Sequence, residues 1–457
     1  MMKEKKQLPV ERNDEIELDI VALGSEGQGI GRVEGYAIFV PGALPGERVK
    51  AHVIKAGAGY GVGKLMKIIS ASPQRITPLC GQHGRCGGCT LQHLAYPAQL
   101  DYKRQLVEDA LKRIGGFENP IVAPVLGMEN PWQYRNKGSF PLAMVDGRVK
   151  IGFYAPRSHR LIPMEDCFIE QEPVVLAAQT VRDWANAFAI PAYDEQTGQG
   201  ILRHVMARET TTGQVMAVVI ARKKPPRQKE LVEMLQERIE GLKSVYLNLN
   251  TADTNVIAGR EYDLLWGEAR VQETLCGLAF SISPASFLQV NSLQTEKLYQ
   301  TALEFLKLQG QERVVDAYCG IGTISLLLAK HAGEVVGIED VPQAVEDAKA
   351  NALANNMENA RFLCAPAEQA LPALLKEGFV PDAIVADPPR KGCDAAFLQA
   401  VLQSGVRRMV YVSCNPATLA RDCQTLSLGG FVIEKVQPVD LFPHSSHVET
   451  VVLLTKA

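Results

Sequence analysis

The sequence predicts an α/β protein in which a parallel sheet covered by helices follows a small β-barrel and a mixed, β-rich middle segment. Three observations predict it. Short β-type runs separated by glycine clusters fill residues 15 to 70, mixed short strands with two helical stretches fill 132 to 283, and from Ser286 strands and helices alternate regularly. At 457 residues, 46% hydrophobic and 22% charged, the chain has globular composition and length for two or three cores. No apolar run approaches the roughly 20 residues of a membrane span, and the charged start lacks the apolar segment of a signal peptide, so a cytoplasmic protein with no membrane partner is expected. Ten cysteines are too few for a disulfide scaffold, which makes unusual cysteine spacing a sign of metal ligation or catalysis. The net charge of −3 identifies no partner, because only the first 75 residues are mildly basic, with 11 basic against 9 acidic residues.

In chain order, residues 1 to 75 read as the barrel. Arg32, Lys50, Lys55, Lys64 and Lys67 are interleaved along its runs and could track a phosphate backbone. Residues 96 to 116 place Leu100, Val107, Ala110, Leu111 and Ile114 at helical spacing and end in Gly-Gly. The middle unit is expected over 76 to 95 and 132 to 283, with helices near 173 to 188 and 226 to 240. The C-terminal unit comprises 96 to 131 and 284 to 457, the helix at 96 to 116 packing onto it. Its expected elements are helices at 292 to 306, 323 to 331, 342 to 354 and 395 to 403, with strands at 313 to 316, 334 to 338, 361 to 364, 382 to 386, 408 to 412 and 450 to 454. Such alternation makes a Rossmann-like sheet whose ligands bind at the C-terminal strand ends.

The first strand runs into Asp316-Ala317-Tyr318-Cys319-Gly320-Ile321-Gly322-Thr323, and the second ends in Glu339. Glycines at such a turn admit a ligand to the backbone, and an acidic residue at the next strand end can hold ribose hydroxyls. One G-x-G without the three-glycine fingerprint disfavours a pyrophosphate and favours S-adenosylmethionine. The fourth strand ends in Asp387-Pro388-Pro389-Arg390. Enzymes that methylate exocyclic amines of bases have a similar segment but follow the prolines with an aromatic residue that stacks on the base; Arg390 argues against that chemistry. The fifth strand delivers Ser413-Cys414-Asn415-Pro416 to the same rim. A cysteine after an apolar strand is most often a small buried hydrophobe, but here its position suits a nucleophile. Carbon 5 of uracil is a poor nucleophile until a thiolate adds at carbon 6, and a base must later remove the carbon 5 proton. Asp440 to Glu449, with His444 and His447, supplies candidates for that base.

Cys80, Cys86 and Cys89 are spaced C-x5-C-x2-C in a glycine-rich loop, with Cys167 further on; four thiolates suit zinc or an iron-sulfur cluster. The C-x3-C-x2-C spacing of radical S-adenosylmethionine enzymes is absent.

With these motifs the chain resembles, over nearly its whole length, the S-adenosylmethionine-dependent RNA 5-methyluridine methyltransferases, in the branch that acts on 23S ribosomal RNA. The resemblance implies a class I methyltransferase domain, a nucleophile at Cys414 and a base at Glu449. It places cofactor contacts at Gln289, Tyr318, Gly320, Glu339 and Asp387, beside the Asp316 already named. It implies a [4Fe-4S] cluster on Cys80, Cys86, Cys89 and Cys167, and an OB-like N-terminal barrel similar to the RNA-binding module called TRAM, which the ribosomal branch carries and the bacterial transfer RNA branch lacks. Trp132 to Lys137 matches a family segment near the RNA. One departure stands at the third strand: Phe362 to Glu368 lacks the acidic residue often found near the adenine. The rivals are the same chemistry on transfer RNA and a catalytically silent RNA-binding assembly factor.

Overall fold

Alternating burial along the first strands curls them around one small core. In the computed structural model, which describes residues 8–456, strands β1 (Glu15–Leu23), β2 (Gly29–Val33), β3 (Tyr36–Val40), β4 (Arg48–Ala56) and β5 (Tyr60–Ser70) close a barrel in the order β1-β2-β3-β5-β4. Leu18, Ile20, Ile38, Val40, Val49, Ala51 and Val53 fill it. All pairings are antiparallel except β3 with β5, which run parallel. Lys55, Lys64 and Lys67 are exposed, whereas Lys50 is paired with Glu15 and Arg32 closes the β2–β3 turn on the Gly35 carbonyl.

Helix α1 (Tyr96–Arg113) opens on Pro97 and lays Val107, Ala110 and Leu111 into the core beneath the C-terminal sheet. The middle segment builds β6 (Lys137–Val145), β7 (Arg148–Tyr154), β8 (Leu161–Pro163), α2 (Glu172–Ala187), β9 (Leu202–Glu209), β10 (Val215–Ala221), α3 (Gln228–Arg238), β11 (Leu242–Leu249) and β12 (Glu261–Gly267). Its strands form a seven-stranded sheet, β12-β11-β10-β9-β6-β7-β8, with α2 packed on it around the fully buried Trp184. The hairpin β13 (Val271–Leu275) and β14 (Leu278–Ile282) turns the other way: Val271, Leu275, Phe280 and Ile282 pack with the C-terminal sheet.

That sheet is made by α4 (Ser292–Leu306), β15 (Arg313–Ala317), α5 (Thr323–Ala329), β16 (Glu334–Glu339), α6 (Pro342–Ala354), β17 (Ala360–Cys364), α7 (Ala367–Lys376), β18 (Ala383–Ala386), α8 (Ala395–Gln403), β19 (Arg408–Ser413), α9 (Pro416–Leu428), β20 (Phe431–Val439) and β21 (Glu449–Lys456). The order is β17-β16-β15-β18-β19-β21-β20, the first five strands parallel and β21 antiparallel to both neighbours. Strand order reverses at β15, between β16 and β18, which opens a crevice over the strand ends. Three elements exceed the sequence expectation. Pro372 sits inside α7, Pro416 opens α9 directly behind the cysteine motif, and Glu434, Lys435 and Pro438 blur the pattern of β20, an edge strand where proline is tolerated. Among the described residues no helix is long and apolar enough to cross a membrane.

Candidate active site

The buried strand β15 sets the glycine turn at the crevice floor. Tyr318 (φ 66°), Gly320 (φ 55°) and Gly322 (φ 86°) all adopt left-handed backbone, and a Cβ built on Gly320 would meet nothing within 4 Å. Space is therefore left where a ligand would approach the main chain. Glu339, at the end of β16, accepts from the Gly320 N–H (3.0 Å) and the Val341 N–H (2.9 Å), which fixes its carboxylate over the turn. Gln289 arrives on the segment before α4, which the middle sheet holds. Asn136 donates from Nδ2 to the Gln289 carbonyl (3.3 Å) and from its N–H to the Val290 carbonyl (2.8 Å), and Arg208 donates to the Ser286 carbonyl (3.0 Å).

These residues share one cavity of about 760 Å³, lined by Gln289, Tyr318, Gly320, Glu339, Asp387, Cys414 and Glu449 together with the exposed Phe287, Arg390 and His447. Asp316 does not line it. Its carboxylate, read from the sequence as a cofactor contact, is fully buried beneath the turn, where Oδ2 accepts from Ser325 Oγ (2.5 Å). Glu368, in the first turn of α7, also lines the cavity beyond the end of β17.

At the reacting corner, β19 and β21 pair antiparallel with Ser413 opposite Thr450. Cys414 directly follows the last paired residue of β19 and Glu449 directly precedes Thr450 at the start of β21, and both side chains line the cavity. Burial pushes Glu449 up to about 8, with Asp387 adding to it, and burial pushes Asp387 up to about 7. The Cys414 thiol rises to about 11 through burial and the two carboxyls, against the opposing Arg390 guanidinium. Arg390 is held by α9: Asn415 Nδ2 (3.0 Å) and Thr418 Oγ1 (3.3 Å) both donate to its carbonyl, and its Nη2 lies 3.4 Å from His447 Nε2.

The cysteine loop is built differently. Cys80, Cys86, Cys89 and Cys167 are free and partly buried, and among the described residues no three His, Cys, Asp or Glu side chains are grouped tightly enough to hold a metal ion. They are nonetheless neighbours: burial, then the Cys86 and Cys80 sulfurs, push Cys89 up to about 12, and burial, then Glu170 and last Cys89, raise Cys167. The Gly88 N–H donates to Cys86 Sγ (3.4 Å). The segment Trp132 to Lys137 faces inward. Trp132 stacks on His444 (3.8 Å between centroids), Tyr134 donates to the Pro443 carbonyl (3.0 Å) and Arg135 pairs with the buried Glu170.

Residues 228–457 match the family model described as tRNA (Uracil-5-)-methyltransferase, and residues 9–66 match the TRAM domain. The chain belongs to the tRNA (uracil-5-)-methyltransferase family. It is thus an S-adenosylmethionine-dependent RNA (uracil-5-)-methyltransferase with a TRAM barrel. An RNA methyltransferase of Clostridium tetani is 46% identical over 99% of this chain and 98% of its own length, and one of Halalkalibacterium halodurans is 47% identical over 98% and 99%. The crystal structure of Pyrococcus abyssi tRNA (uracil-54, C5)-methyltransferase in complex with S-adenosyl-L-homocysteine is 27% identical, with a TM-score of 0.76 over 96% of this chain and all of that one.

Proposed function

We propose that this uracil-5 methyltransferase modifies a uridine of 23S ribosomal RNA in the cytoplasm, with Cys414 as nucleophile and Glu449 as base. The observation that supports the mechanism is that Cys414, just past the end of β19, and Glu449, at the start of the neighbouring β21, line one cavity. Gln289, Tyr318, Gly320, Glu339 and Asp387 would hold S-adenosylmethionine over the open face of the glycine turn. When bound, it supplies an electrophilic methyl group.

The Cys414 thiol, which burial and the two carboxyls push up and the Arg390 charge draws down, gives up its proton to solvent at the open cavity, and the thiolate forms a bond to carbon 6. The displaced electron pair of the 5,6 double bond enters an enolate, whose carbon 5 would take the methyl group as the donor's methyl–sulfur bond breaks and its electron pair leaves on the departing thioether. Glu449, as carboxylate, removes the carbon 5 proton; the double bond re-forms as the carbon–sulfur bond breaks and the thiolate departs. No group is consumed except the methyl donor.

A [4Fe-4S] cluster on Cys80, Cys86, Cys89 and Cys167 completes the proposal, zinc being the alternative. The chemistry of the donor set fits: four thiols share one neighbourhood, and an N–H donates to one of their sulfurs. Such a group would tie residues 80 to 89 to Cys167 of the middle unit and take no part in methyl transfer.

A second reading is favoured by the Pyrococcus abyssi enzyme, which is named for transfer RNA and matches 96% of this chain, a span too long to leave out the barrel. Nucleoside mass spectrometry with site mapping, on ribosomal and transfer RNA from cells with and without the protein, decides. Loss of 5-methyluridine from 23S ribosomal RNA is expected, and loss from transfer RNA alone would overturn the ribosomal assignment.

A further inference from the structure

Helix α1 carries a charge on its apolar face. Leu100, Val107, Ala110 and Leu111 define that face, and Lys103 lies on it, whereas Ile114 falls past the helix end and is exposed. Its side chain is 0% exposed, as is that of its partner Asp440. Burial draws the Lys103 ammonium down from its ordinary value and Asp440 opposes the shift. Buried pairs of this kind add little to net stability compared with an apolar pair, and the chemistry above does not use this one.

What the pair does is geometric. Lys103 Nζ also donates to the Phe442 carbonyl (2.9 Å), Tyr96 donates to Asp440 Oδ2 (2.8 Å), and Gln99 Oε1 accepts from the His444 N–H (2.9 Å). Successive turns of α1 thus grip residues 440–444, the first half of the strap between β20 and β21. From the other side the Thr90 and Leu91 N–H groups donate to the His444 carbonyl (3.0 and 2.9 Å). Phe442 in the gripped half, His447 in the far half and Glu449, where the strap runs into β21, all stand in the cavity wall.

We propose that Lys103 is a positioning residue, which through Asp440 and the Phe442 carbonyl sets the strap that delivers Glu449 to the reacting corner. This rests on Glu449 being the base, and the test separates the two.

The experiment uses the full chain, methyl-labelled S-adenosylmethionine, and total RNA from a strain lacking the protein. In Lys103→Met/Asp440→Leu no charge is left unpaired, so the fold and its melting temperature should be kept. The inference expects a fall in kcat of about tenfold to a hundredfold, as for a base displaced by about 1 Å, with the KM for S-adenosylmethionine within about twofold. Methylated RNA joined to Cys414 should accumulate, as it should in Glu449→Gln. Tyr96→Phe, which deletes one hydrogen bond to the same carboxylate, should lower kcat in the same direction by a smaller factor and keeps the test alive if the double variant fails to fold. Wild-type kcat in either folded variant overturns the inference, and so does a fall with no adduct where Glu449→Gln shows one. If Glu449→Gln itself traps no adduct, the assignment of the base fails instead, and the kcat against KM split alone judges Lys103.

Discussion

The rim of the C-terminal sheet and the loop that carries Cys80, Cys86 and Cys89 hold their chemistry in opposite ways. At the rim each group sits at the end of a hydrogen-bonded strand: Glu339 ends β16, Asp387 follows β18, Cys414 follows β19 and Glu449 starts β21. Strand pairing fixes their separations, and the cavity stands formed from protein alone. In the loop the backbone runs through turns with Gly84 at φ 80°, and the thiols lie near one another without closing into a site. A strand-end site is built by folding, whereas a loop site is completed by what it binds. Changes at the rim should therefore alter rates while sparing the fold, and changes in the loop should alter binding and order while sparing the chemistry.

The sharpest break is Cys414→Ala. With no nucleophile, neither adduct nor 5-methyluridine should form, although cofactor and RNA still bind; product from this variant would refute the covalent route. Glu449→Gln comes next, slowing turnover by about 10²- to 10⁴-fold and trapping methylated RNA on Cys414 as a denaturation-resistant band. Its pH behaviour follows from burial. With Glu449 held near 8 and acting after methyl transfer, breakdown of the methylated Cys414 adduct in the wild type should speed up about tenfold per pH unit toward about 8 and then level off. Because the folded value lies above the ordinary 4.5, this residue makes the fold less stable as pH rises from about 4.5 through about 8. The melting temperature of Glu449→Gln should accordingly gain on wild type across that window, with the full difference above it; equal melting curves at pH 9 would contradict the burial argument.

For the loop, anaerobically purified protein should be brown and hold about four irons per chain. Cys89→Ala should lose the iron and weaken RNA binding while affinity for S-adenosylmethionine stays within about twofold. Stoichiometric zinc without acid-labile sulfide would replace the cluster with the alternative. The smallest effect belongs to the barrel: changing Lys55, Lys64 and Lys67 each to Gln should reduce the salt slope of RNA binding by about one for every phosphate the barrel no longer neutralises. An unchanged slope would make the barrel a structural element only.

The rim was legible in the sequence because apolar strands announce where they end, and Glu339, Asp387 and Cys414 sit at those ends. What escaped lies where local pattern and tertiary role diverge. Pro372, Pro416 and Pro438 disguise α7, α9 and β20, yet α9 is the helix that ties the Arg390 loop to the Cys414 motif. Asp316 was readable as an acid beside the turn, but not that its carboxyl points down to Ser325. Lys103 did leave a signal: a lysine among Leu100, Val107 and Ala110 on one helical face needs a buried partner, and only the fold names Asp440. Trp132 to Lys137 could face RNA or form a solvated turn with an aromatic anchor on sequence grounds, and the structure packs Trp132 on His444 and bonds Tyr134 to the Pro443 carbonyl.

The pairing of Ser413 with Thr450 also bears on how this enzyme can vary over generations. A point substitution in β19 or β21 changes one side chain and leaves the spacing of Cys414 and Glu449 intact. A single-residue insertion or deletion within β21 shifts every later rung and turns alternate side chains to the opposite face of the sheet. Lineages should therefore drift freely in the letters of these strands while keeping their lengths frozen, and length changes should collect in the barrel turns and in the middle unit.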